Sequence, residues 1–62
     1  MQDTITEYRP AKVGETIINL HTEDTMRVTH LNGVNGVAWG QIGGEHRAWA
    51  PCDYAVQVPV RD

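Results

Sequence analysis

Two Asn-Gly pairs, Asn32-Gly33 and Asn35-Gly36, lie between runs of β-branched, apolar and aromatic residues. No other feature narrows the fold as much. Asn and Gly tolerate positive φ, which a type I′ turn between antiparallel strands requires. Residues 26–31 and 36–42 therefore read as a hairpin at the centre of a small β-domain.

Period-2 alternation recurs in the other segments, and nowhere does a helical period persist. Residues 13–20 form the first expected strand, entered through Gly14. Ile17 and Ile18 are adjacent, and Leu20 shares a face with Ile18, which assigns Ile18 and Leu20 to the core. Met26 and Val28 mark the inner face of the next strand, with His30 emerging at its end. Val37 and Trp39 fall on one face of the third strand and Ala38 and Gly40 on the other, with Gly40 read as a bend or bulge. Gly43-Gly44 is a second tight turn, leading into a strand over residues 45–50. Pro51-Cys52-Asp53-Tyr54 suits one helical turn, and residues 55–58 a last short strand ended by Pro59. The expected fold is all-β: a small five-stranded SH3-like barrel with a short helical turn before the last strand. Residues 1–12 read as an N-terminal arm, with a weak edge strand over residues 4–8 as the alternative, and residues 13–62 as the barrel.

Size sets the stability problem. A domain of 62 residues buries only about 60% of the surface its unfolded chain exposes. One cysteine, Cys52, rules out an internal disulfide. Tyr8, Trp39, Trp49 and Tyr54 are the only aromatic residues and are expected to supply much of the buried area.

Four stretches of the chain, Lys12-Val13-Gly14-Glu15, Met26-Arg27-Val28, Gly36-Val37-Ala38-Trp39 and Arg47-Ala48-Trp49, together resemble the YodC-like family of small uncharacterised bacterial proteins. The resemblance spans residues 12–58. Glu15 stands where that family has Asp, Trp49 where it has another aromatic such as Phe, and residues 22–25 replace a Gly-rich segment. The resemblance implies an SH3-like barrel and supplies no reaction.

Net charge is −3, with acids scattered along the chain, which argues against tight binding to a nucleic-acid backbone. No apolar run approaches membrane-spanning length, and the N-terminus carries no secretory pattern, so a cytoplasmic location is expected. His21, His30, His46 and Cys52 include no short-spaced ligand pair, so neither a metal nor another cofactor is expected. Cys52 stands beside Asp53, which opposes thiolate formation, so no catalytic residue is assigned.

Trp39 and Trp49 are the candidates for an aromatic binding groove, with Tyr54 and Glu45 as its polar edge. Arg27, Arg47 and His46, with Trp49 interleaved, would make a small basic face, the minimum for single-stranded nucleic acid. The function expected from this pattern is a non-enzymatic protein–protein interaction module, using an exposed aromatic face or a sheet edge. Two alternatives are a nucleic-acid-binding accessory protein and a subunit of an oligomeric small-molecule enzyme.

Overall fold

The computed structural model describes residues 4–60. The chain is all-β, with strands β1 (Thr4–Glu7), β2 (Thr16–Asn19), β3 (Thr25–Leu31), β4 (Ala38–Ile42), β5 (Glu45–Trp49) and β6 (Tyr54–Pro59). A single 3-10 turn, Pro51–Asp53, precedes β6. Pro51 sits at its first turn, where a missing N–H costs nothing. All six strands are antiparallel neighbours in one sheet of order β1-β6-β2-β3-β4-β5.

Three expectations are corrected here. First, the sheet has six strands and is not closed, with β1 and β5 as its free edges, so the closed five-stranded barrel is not observed. The sixth strand comes from the segment read as an arm: Thr4–Glu7 pairs with β6 from Thr4↔Pro59 to Glu7↔Val56. Second, β2 has the opposite phase. Ile17 is fully buried and Asn19 nearly so, whereas Ile18 is half-buried and Leu20 is 44% exposed. Asn19 points inward because its Oδ1 accepts the backbone N–H groups of His21 (2.8 Å) and Thr22 (3.0 Å). This caps the turn after β2 and fixes the strand with Ile17 on the core side. Leu20 lies beyond the strand end, where alternation no longer applies.

Third, the turn between β3 and β4 is not a two-residue type I′ turn. The loop spans residues 32–37, closed by bonds from Asn32 N–H to Val37 C=O and from Gly36 N–H to Asn32 C=O. Of its residues only Gly36 has positive φ, at 74°. The asparagines act through their side chains instead: Asn32 Oδ1 accepts Val34 N–H, and Asn35 Oδ1 accepts Val37 N–H. Gly43-Gly44 does form the tight turn expected, with φ of 59° and 86°.

Strand β3 serves both halves of the sheet. Its first residues pair with β2 and its last with β4, and a bulge at Thr29 separates Val28↔Gly40 from His30↔Trp39. A bulge bends the strand and increases its twist, which folds the two halves over a common core. That core is Ala11, Ile17, Met26, Val28, Ala38, Tyr54 and Val56, flanked by the half-buried Leu31, Ile42, Trp49 and Val58. Gly40 is required by packing rather than by a bend of its own strand. A Cβ there would lie 2.5 Å from the Arg27 carbonyl oxygen and 2.8 Å from Met26 Sδ.

Of the aromatic residues, only Tyr54 is fully buried; Trp49 packs on the core's flank, while Trp39 and Tyr8 are exposed. Small and β-branched residues therefore fill most of the interior.

Candidate functional site

Tyr54 builds the site from behind. Its hydroxyl accepts the Ala11 N–H (3.1 Å) and donates to the Gly36 carbonyl oxygen (3.1 Å). One buried side chain thus ties the segment after β1 to the β3–β4 loop and to the start of β6. Gly36 meets the helical turn closely, since a Cβ there would lie 2.8 Å from Pro51 Cγ. The Leu20 N–H donates to the Asp53 carbonyl (2.9 Å), joining the β2–β3 turn to the same place.

These ties bring Tyr8, Pro10, Leu20, Pro51 and Cys52 together around an open groove of about 380 Å³, with Tyr54 and Arg9 completing its walls. Tyr8 is 76% exposed, so its ring is available to a ligand. Arg9 is held rigidly. Its guanidinium donates to Glu7 (2.6 Å) and forks onto both carboxylate oxygens of Glu15 (3.0 and 2.7 Å). The Arg9 hydrogen bond holds the Glu15 carboxyl below its ordinary value, assisted by the Lys12 backbone N–H, while partial burial opposes the shift. The same pairing raises the affinity of Arg9 for its proton. The charge of Arg9 is thus neutralised locally. On the rim, His21 Nε2 lies 3.0 Å from Asp53 Oδ1.

The residues expected to form the binding site do not come together. Trp39 pairs with Ala48 across the β4–β5 ladder and Trp49 with Ala38, so the two indoles lie on opposite faces of the sheet. Trp49 faces the core, and an aromatic groove made by both is excluded. Tyr54 is 1% exposed and is a structural clamp rather than a contact residue. Arg47 lies on the Trp49 face and pairs with Glu45 (3.0 Å), whereas His46 lies on the Trp39 face beside Gln41, so the two do not share a basic face.

The groove was not legible as a site. Tyr8 and Pro10 lie in the segment read as an arm, and Leu20 reads as core. The only local signal was the proline-led turn at residues 51–54.

Cys52 is exposed and makes no side-chain hydrogen bond among those described. Among the described residues, no three of His, Cys, Asp or Glu cluster at metal-binding distance, and no helix is long and apolar enough to cross a membrane. No family model, curated protein or solved structure matches the chain.

Proposed function

We propose that the protein is a small non-enzymatic interaction module of SH3-like architecture, which grips an extended segment of a partner protein in the groove between Tyr8, Leu20 and Pro51. The observation that carries this reading is the groove itself: an open, mainly apolar trough with an exposed tyrosine and two prolines on its walls. Extended segments pre-organised as polyproline II dock in aromatic-lined grooves because they lose little conformational entropy on binding. Supporting the architecture, β2 to β5 follow one another as hairpin neighbours, a helical turn comes next, and β6 returns beside β2. β1 then extends this core by one edge strand. The YodC-like resemblance belongs to the same reading.

The groove side also suggests the partner's charge. Glu7 and Glu15 flank Arg9 in the groove wall, and Asp53 follows Cys52 in the helical turn. With Arg9 neutralised, these carboxylates favour a segment that carries Lys or Arg beside its apolar residues. The test is an array of extended apolar-basic peptides, with binders mapped by amide chemical shifts. Shifts at Tyr8, Leu20 and Cys52, and loss of binding in Leu20→Glu, are expected. Binders whose shifts map elsewhere, or that tolerate Leu20→Glu, would sink the groove reading.

A further inference from the structure

The register of the ladders sorts the side chains into two faces, and the charges do not divide evenly between them. Partners across an antiparallel ladder share a face. On the side opposite the core, Arg27, His30, Trp39, Gln41, His46 and Ala48 are all exposed. The face continues through Thr16 and Gln57 to Thr6. Among the described residues it carries no carboxylate. Glu7 and Glu45 sit on the opposite side, across from Val56 and Ile42, and Glu15, Glu23, Asp24 and Asp53 lie in connections and the helical turn. In a chain of net charge −3, the described carboxylates thus all lie away from this face.

We infer that this outer face is a docking surface for single-stranded nucleic acid, independent of the groove. Trp39, 42% exposed, offers its ring as a stacking platform. Base stacking on an aromatic ring tolerates any sequence and needs bases free of a duplex. Arg27 meets the backbone charge, and the Thr, Gln and His side chains offer hydrogen bonds to bases, sugars and phosphates. Among the described residues the carboxylates lie on the other surfaces, which leaves a polyanion an approach that they do not oppose. Charge decides the occupant. A neutral polysaccharide could stack on Trp39 equally well, but it would have no use for a face free of carboxylates.

Anisotropy of a labelled oligothymidylate, titrated with the full chain at several salt concentrations, tests the inference. Weak binding that falls as salt rises from about 50 to 200 mM is expected, since each phosphate contact contributes about 0.7 to the logarithmic salt slope of a single strand. Trp39→Ala should lower affinity about tenfold, as loss of one stacked base does. Arg27→Gln should flatten the salt slope by about 0.7, one phosphate contact. Leu20→Glu, in the groove, should leave stacking intact and so separates this face from the peptide site. Absence of binding at low salt, equal affinity for duplex, or binding unchanged by Trp39→Ala would overturn the inference. Salt-independent binding of a neutral oligosaccharide in place of the oligonucleotide would do the same.

Discussion

The groove and the outer face differ in how the chain makes them. Groove residues come from three distant places in the sequence, residues 8–10, 20 and 51–54, and meet only because Tyr54, Gly36 and Asp53 hold those pieces together. Most of the outer face comes from two consecutive hairpins, β3–β4 and β4–β5, whose side chains share a surface by ladder pairing alone. The groove is a tertiary product, while the outer face is nearly a local one. Damage should follow that division: changes behind the groove should reduce stability and binding together, whereas changes on the outer face should affect binding alone.

The sharpest way to break this contrast is Tyr54→Phe. It leaves the buried Ala11 N–H and the Gly36 carbonyl without their partner, and each unsatisfied group costs about 1–3 kcal/mol. A loss of about 3 kcal/mol in urea unfolding is expected from these two groups. Full stability in this variant would show that the ties behind the groove are incidental. Gly36→Ala should follow at about 2 kcal/mol, because it forces a side chain to positive φ and against Pro51. Gly33→Ala in the same loop meets nothing within 4 Å and should be close to neutral. Equal effects at the two glycines would remove the helical turn's contact from the account.

The tryptophans compare the two faces directly. Trp49 flanks the core and Trp39 does not, so Trp49→Ala should cost about 2 kcal/mol and Trp39→Ala no more than about 0.5 kcal/mol. Iodide quenching should reach Trp39 more readily, and the reverse ranking would invert the faces.

The smallest expected effect is acidic. Glu15 is held below its ordinary 4.5 by Arg9, so it contributes stability that is present above that value. This stability is lost as pH falls through the lowered folded value. Glu15→Gln should flatten the decline in melting temperature below pH 4.5, modestly, because the Arg9–Glu15 pair is partly exposed. An unchanged acid profile would dissociate the Arg9 fork from stability.

Strand β2 shows why periodicity alone misassigned part of the core. Two adjacent isoleucines leave the phase open, and the choice was made by Asn19, whose side chain turned inward to cap the following turn. Hydropathy could not signal this, because a capping Asn reads as a surface residue. The aromatic site failed for a related reason. Trp39 and Trp49 both lie at odd positions, yet the tight turn at Gly43-Gly44 reverses the chain between them and pairs Trp39 with Ala48. That register, once counted through the turn, places the indoles on opposite faces.

The sequence by itself determined the β class, the β3–β4 and β4–β5 hairpins, the tight Gly43-Gly44 turn and the proline-led helical turn, because alternation and turn chemistry act over a few residues. Only the tertiary structure decided that Thr4–Glu7 joins the sheet, that Tyr54 is a clamp, and that Tyr8, Leu20 and Pro51 share a groove. Each of these depends on partners far apart in the chain, whose pairing depends on a shared core and no local pattern records it.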